Sequence, residues 1–146
     1  MLLGQLHKRV WQWLIDIKLN NMIDVTHISN KKIHVPKAWG EEVVIHNGDD
    51  YCGKLLRFRK GGKFSLHFHS KKTETFYVNK GMFNLTTIDT RTAARQHISL
   101  VEGDIVHVEK NTPHQLEALE EGEIFEVSTP HMDEDSYRIE KGDSQL

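Results

Sequence analysis

The amino-acid sequence predicts an all-β sandwich or barrel preceded by one amphipathic helix. From about residue 30 onward, short runs of strand-forming residues alternate with turn signals, beginning with "EEVVIH" and the turn "NGDD". No helical pattern separates these runs, which is typical of antiparallel sandwiches and barrels. A chain of 146 residues fits one domain with its own hydrophobic core.

The strand-forming runs follow one another at regular spacing. They are "EEVVIH", "KLLRFR", "KFSLHFH", "ETFYVN", "MFNLTTI", "HISLV", "IVHV", "HQLEAL" and "IFEVS", separated by turns such as "KGG", "EGD" and "EKNTP". We therefore assign residues 1–30 to the helix and its lead-in, residues 31–140 to the β-domain and residues 141–146 to a polar tail.

The N-terminal segment has the periodicity of an amphipathic helix. Its apolar positions recur at helical spacing and are Leu3, Leu6, Val10, Trp13, Leu14 and Ile17. Charged residues lie between them, and no small-residue cleavage site follows, so neither a secretory signal nor a transmembrane helix is expected. We expect the helix to pack on its own domain or on a partner subunit; a membrane-surface helix is the alternative.

Composition and charge restrict the partners. The net charge is −2 and the basic residues are scattered, which argues against a nucleic-acid-binding surface. The single Cys52 excludes an internal disulfide and suits the cytoplasm. A homodimer is expected because a small β-domain leaves sheet edges and an apolar face to cover.

The stretch "GGKFSLHFHSKKTETFYVNKG", residues 61–81, contains a candidate metal site. Strand alternation places His67 and His69 on one face, and on the other face Phe64, Leu66 and Phe68. Glu74 opens a row of the next strand that should face the core, where a carboxylate is costly unless it is paired or bound to metal. His114, at the start of a later strand, offers a further ligand. Imidazole and carboxylate suit Zn, Mn, Fe, Co or Ni without selecting among them.

This spacing resembles the first motif of the cupin superfamily, G-x5-H-x-H-x4-E-x6-G, from Gly61 to Gly81. The second motif, G-x5-P-x-G-x2-H-x3-N, is matched at Gly103 and His114; Glu109, Asn111 and Ala118 replace its proline, second glycine and asparagine. The resemblance implies a jelly roll in which one divalent metal is bound by His67, His69, Glu74 and His114. The alternative is a hydrogen-bonded cluster of the same residues without metal.

A narrower resemblance is to the type II phosphomannose isomerases, which are mannose-6-phosphate isomerase-like cupins. Trp39 and Gly40 match the Trp-Gly of that family's opening element without its Arg-Pro. Arg138 and Glu140 match its Arg-x-Glu-Asp motif, in which Lys141 replaces the aspartate. The resemblance implies aldose–ketose isomerisation, in which a metal polarises the sugar carbonyl and a base moves a proton between C1 and C2. The sequence does not identify that base.

Four basic residues are candidates for binding a phosphate group of such a substrate: Arg57, Arg59, Lys63 and Arg138. A solvated strand face is the alternative for Arg57 and Arg59, and an ion pair with the acidic residues 133–135 is the alternative for Arg138. Two other functions remain open. One is a mononuclear iron dioxygenase, and the other is a protein that binds a sugar without turnover.

Overall fold

The computed structural model describes residues 31–145, which form two antiparallel β-sheets packed face to face. The strands are β1 (Ile33–Lys37), β2 (Gly40–Asn47), β3 (Cys52–Phe58), β4 (Leu66–Phe68), β5 (Glu74–Lys80), β6 (Phe83–Ile88), β7 (Arg95–Leu100), β8 (Ile105–Val108), β9 (His114–Ala118), β10 (Gly122–Ser128) and β11 (Tyr137–Glu140). Short 3₁₀ turns at Asp133–Asp135 and Asp143–Gln145 complete the described chain. The all-β prediction is therefore confirmed, whereas the predicted helix lies outside the described residues.

The two sheets have interleaved connections. One sheet has the order β1-β2-β3-β10-β5-β8, and the other has the order β11-β4-β9-β6-β7. Strands that are distant in the sequence thus become neighbours, as in a jelly roll. Apolar side chains from both inner faces form the core, and the largest of those that are fully buried are Phe58, Phe76, Phe83, Leu116 and Ile124.

Alternation along β3 and β5 fixes which side chains enter the space between the sheets. In β3, Leu56 and Phe58 belong to the core. In β5, Phe76 and Val78 do the same, and Glu74 on the same face is only 4% exposed. Because successive strand residues point to opposite faces, Lys54 in β3 and Glu74 at the start of β5 point inward with these apolar residues.

The prediction that Phe64 lies with Leu66 and Phe68 on the face opposite to the histidines is wrong. Phe64 packs against the core and lies edge-on to His67 with ring centroids 5.3 Å apart. Regular strand geometry extends only over Leu66–Phe68, so two-residue alternation does not reach back to Phe64. Phe68 instead stacks on Tyr137 of β11, whose pairing with β4 was not predicted.

Gly81 occupies a turn that other residues would strain. Its φ is +90°, in the left-handed region that favours glycine. A Cβ there would approach the Glu121 carbonyl oxygen to 2.9 Å. This motif glycine therefore has a backbone role at the β5–β6 connection. Within residues 31–145 no helix has the length and apolar character needed to cross a bilayer.

Candidate metal centre

Three histidines meet between the two sheets. His67 of β4 is the register partner of His114, the first residue of β9, and His69 follows β4 directly. Each offers a ring nitrogen, and these three nitrogens lie within 4.8 Å of one another. The five-stranded sheet therefore supplies all three imidazoles to one point.

Backbone carbonyls fix the tautomer of each imidazole. The Nδ1 atoms of His67, His69 and His114 lie 2.7, 2.7 and 2.9 Å from the carbonyl oxygens of Ser65, Asp135 and Thr112. A carbonyl oxygen only accepts hydrogen bonds, so each Nδ1 must carry the proton and donate it. In each neutral ring Nε2 then presents an unprotonated lone pair, which is the form that binds a metal.

These lone pairs face other acceptors. His67 Nε2 and His69 Nε2 are 3.2 Å apart, and His114 Nε2 is 2.9 Å from Glu74 Oε2. The His114 and Glu74 atoms are buried and have no hydrogen-bond partner. Acceptors that face one another without a proton repel, and either a proton or a metal cation between them removes the repulsion. Two nitrogens that bind the same ion at ~2.1 Å are expected to lie ~3–3.5 Å apart, and the Nε2 atoms of His67 and His69 meet this distance. The donor atoms of the cluster therefore suit a divalent metal.

Burial keeps two of the three imidazoles, those of His67 and His69, in the neutral form. Loss of solvation, followed by the neighbouring His114, lowers the pKa of His67 from 6.5 to about 3. Burial likewise lowers the pKa of His69. Both rings are therefore neutral at neutral pH, with the proton on Nδ1 and Nε2 free to bind a metal.

Glu74 enters the site from the six-stranded sheet and is held by a buried lysine. Lys72 Nζ donates to Glu74 Oε1 at 2.5 Å and to Glu126 Oε1 at 2.6 Å, and all three residues are at most 4% exposed. Burial acts to raise the pKa of Glu74, but in the metal-free protein a hydrogen bond from His114, made when that Nε2 carries a proton, and the Lys72 ammonium hold it well below its usual range. One carboxylate oxygen, Oε2, therefore remains to face the three histidines; a ligand role for Glu74 stays a prediction.

The turn that carries Lys72 is organised by Asp135, which is 1% exposed. Its carboxylate accepts hydrogen bonds from the backbone N–H groups of Ser70, Lys71 and Lys72. Its own carbonyl orients His69. Asp135 thus connects the C-terminal segment to two groups of the site. Sequence reasoning missed it because a buried aspartate that accepts backbone hydrogen bonds has no local sequence signature.

The histidines open into a cavity of about 310 Å³ between the sheets. Basic and acidic side chains line it, including Lys37, Lys54 and Arg138 and, from the acidic group, Glu42 and Glu126. Ser144 and Gln145 of the predicted polar tail also line it. The volume lies at the small end of the range of ligand pockets and suits a small molecule.

Of the four basic candidates, the structure brings only Arg138 to this cavity. Arg57 points to the opposite face of β3, where it pairs with Glu123 at 2.8 Å and Glu41 at 3.0 Å. Arg59 lines the same separate depression as Arg57. Lys63 donates its backbone N–H to Asp143 Oδ2 at 3.0 Å and is not among the described residues that line the cavity.

Two further findings concern basic residues of the cavity. The alternative ion pair of Arg138 with residues 133–135 is not formed in the described chain, where Arg138 has no ion pair.

The sequence analysis did not identify Lys54 as a cavity residue. The sequence did contain a signal for it, since Lys54 alternates with Leu56 and Phe58 on the inward face of β3.

His131 is a further cavity residue that spacing could not identify. The Asn47 amide holds its backbone at both ends, with bonds of 3.1 Å to the carbonyl and 2.9 Å from the N–H. Its Nε2 lies 3.1 Å from Asp133 Oδ1, and its Nδ1 is buried without a partner. Unlike the three histidines of the cluster, His131 makes no hydrogen bond from Nδ1 to a backbone carbonyl in the described chain.

Comparison with known proteins agrees with this geometry. The cupin domain profile matches residues 54–129, which include every histidine of the cluster. The chain belongs to the cupin family. Solved structures similar to this cupin include oxalate decarboxylase of Bacillus subtilis, with a TM-score of 0.64 and 19% identity over 77% of this chain and 33% of the other. The capsular polysaccharide assembling protein CapF of Staphylococcus aureus has a TM-score of 0.66 and 16% identity over 79% of this chain and 34% of the other.

One curated relative of the cupin is a mannose-1-phosphate guanylyltransferase of Salmonella muenchen. The two sequences are 28% identical over 120 residues, which is 80% of this chain and 24% of that protein. The chain therefore spans about a quarter of the length of this relative. The structural similarities, at 16–20% identity, show the fold alone.

The pH dependence of stability follows from the buried histidine. Between about pH 6.5 and pH 3 the unfolded chain binds a proton at His67 that the folded, metal-free protein does not bind. The free energy of unfolding should therefore fall by ~3–5 kcal/mol as the pH falls through this range. Urea denaturation of chelator-treated protein at several pH values measures this. A His67→Asn variant should show a flatter dependence, and equal slopes in both proteins would contradict the prediction.

Proposed function

We propose that this cupin is a metalloenzyme that interconverts the aldose and ketose forms of a small sugar or sugar phosphate. The observation that supports this most directly is the convergence of three imidazole nitrogens, beside a buried carboxylate oxygen, on a small polar cavity. The relationship to a mannose-1-phosphate guanylyltransferase supports a phosphorylated sugar as the ligand.

The residues that would hold the metal are His67, His69 and His114, with Glu74 Oε2 beside them. A divalent metal there would supply Lewis acidity toward a carbonyl oxygen and the adjacent hydroxyl. Manganese is named for an oxalate decarboxylase structure of the same fold, and the histidine set also accepts other divalent metals.

Proton transfer needs a group other than Glu74. Its low pKa keeps it ionised, and Lys72 holds one of its oxygens, so it is a poor proton carrier near neutral pH. His131 is the cavity imidazole that is not committed to the cluster, and its backbone is fixed by Asn47. We therefore assign His131 as the first residue to test for this step.

The test is turnover of mannose 6-phosphate in D₂O by metal-loaded protein, followed by NMR. Isomerisation through proton transfer should form fructose 6-phosphate with deuterium incorporated from solvent, and removal of metal by a chelator should stop it. Binding of the sugar phosphate without turnover would replace the proposal with a non-catalytic binding protein. Consumption of O₂ by the iron-loaded protein, without isomerisation, would replace it with an oxygenase.

A further inference from the structure

One wall of the cavity carries two ammonium groups that share a single carboxylate. Lys54 Nζ lies 3.3 Å from Glu42 Oε2, and Lys37 Nζ lies 3.3 Å from Glu42 Oε1. Lys54 is only 2% exposed. Burial acts to raise the pKa of Glu42, but the attraction of Lys54 and Lys37 leaves it below its ordinary value, so the carboxylate stays ionised. This group, Lys37–Glu42–Lys54, therefore has one more positive than negative charge, and the Lys54 ammonium is the poorly hydrated member.

The opposite wall contributes a third cation. Arg138 of β11 is the register partner of His67, so it lies beside the metal cluster in the five-stranded sheet, and it lines the same cavity. Among the residues of the described chain it has no ion-pair partner. A free guanidinium can bind a phosphate through two parallel hydrogen bonds.

The charged side chains that line the cavity balance one another before a metal binds. They are four cations, Lys37, Lys54, Lys72 and Arg138, and four carboxylates, Glu42, Glu74, Glu126 and Asp133. Lys72 serves both Glu74 and Glu126, and Glu126 is also the register partner of Lys54. A divalent metal at the three histidines would therefore leave the cavity with a surplus positive charge that attracts an anion.

We propose that Lys54, together with Lys37 and Arg138, binds the phosphate group of a small phosphate monoester whose remaining atoms extend toward the three histidines. Three cations from both sheets match a phosphate dianion better than a single carboxylate. The identity of the sugar portion rests on the proposed function. The phosphate site itself rests on the charge distribution and on the burial of Lys54.

Arg57 provides a matched control for this inference. It lies in the same strand as Lys54, three residues away, but it faces out of the cavity. Two carboxylates, Glu41 and Glu123, already neutralise it. A site formed by inward-facing cations should therefore be insensitive to Arg57.

The experiment is calorimetric titration of metal-loaded protein with mannose 6-phosphate, inorganic phosphate and unphosphorylated mannose. The wild type should bind the phosphate ester more tightly than mannose. Lys54→Met should weaken binding of mannose 6-phosphate ~10- to 100-fold, since a charge-assisted hydrogen bond is lost, without loss of metal. Arg57→Met should bind like the wild type. Arg138→Met changes an exposed side chain and tests the same site if Lys54→Met fails to fold.

The outcomes separate this inference from the proposed function. Phosphate-dependent binding that Lys54→Met or Arg138→Met weakens, without any turnover, supports the phosphate site and overturns the isomerase. Unchanged binding of mannose 6-phosphate in the folded variants overturns the phosphate site, even if the protein is an active isomerase. Failure of the wild type to bind either phosphate compound at millimolar concentrations also overturns it.

Discussion

Alanine at both His67 and His114 is expected to reduce bound divalent metal from a stoichiometric amount to an undetectable one. The two rings are register partners across β4 and β9 and supply two of the three converging nitrogens. The remaining His69 and Glu74 cannot complete the coordination shell that Zn, Mn or Fe requires. Mass spectrometry of the metal content, on protein purified without added metal, measures the effect.

A matched double variant separates loss of ligands from loss of histidine in general. His97 bonds the Thr86 hydroxyl, and His107 bonds the Thr75 hydroxyl; both histidines are exposed strand residues away from the cavity. His97→Ala/His107→Ala should retain the metal of the wild type. The assignment of the metal ligands would be contradicted if the His67→Ala/His114→Ala protein bound as much metal as the wild type. It would also be contradicted if the control variant lost as much metal as the His67→Ala/His114→Ala protein. Circular dichroism checks that both variants keep their sheets.

The strand pattern of the central domain could be predicted because it depends on local spacing. The runs around "ETFYVN" and "KLLRFR" became β5 and β3 with little change in bounds. The spacing of His67, His69 and His114 likewise predicted the histidine cluster. Fixed intervals between residues on two paired strands can be recognised without knowing the rest of the fold.

The surroundings of the cluster depend on contacts that are distant in the sequence. Strand β11 pairs with β4 across about 70 residues, and this pairing places Arg138 beside His67. No local pattern predicts this pairing, because residues 137–140 are not among the strand-forming runs that the sequence identifies. The direction of Phe64 could not be predicted for a similar reason. It depends on where regular strand pairing begins, and β4 begins only at Leu66.

Charged residues were the hardest to place. Arg57 and Arg59 alternate with Leu56 and Phe58 and so share one strand face, whereas the same alternation puts Lys54 on the other, inward and buried face. Lys72 resembles its exposed neighbour Lys71 in the sequence "SKKTE". The two lysines differ in their partners. The fold brings two carboxylates to Lys72, namely Glu74 at the start of β5 and Glu126 of β10.

Replacement of Lys72 by methionine is therefore expected to lower the free energy of unfolding by ~3–5 kcal/mol in metal-free protein. Lys72 is the shared counter-ion of Glu74 and Glu126, and both carboxylates are only 3–4% exposed, so its loss leaves two like charges buried without compensation. Urea denaturation measures the change. Lys71→Met, at the exposed adjacent position, should remain within ~0.5 kcal/mol of the wild type.

The same variant links the ion pair to the metal. A divalent cation beside Glu74 Oε2 would partly replace the missing ammonium, so Lys72→Met should be destabilised less in metal-loaded than in metal-free protein. Adding Glu126→Gln removes one of the two uncompensated charges and should recover part of the stability. If Lys72→Met and Lys71→Met have the same free energy of unfolding without metal, the ion pairs of Lys72 with Glu74 and Glu126 do not stabilise the fold and the prediction is wrong. If metal stabilises the variant and the wild type equally, Glu74 does not sense the cation.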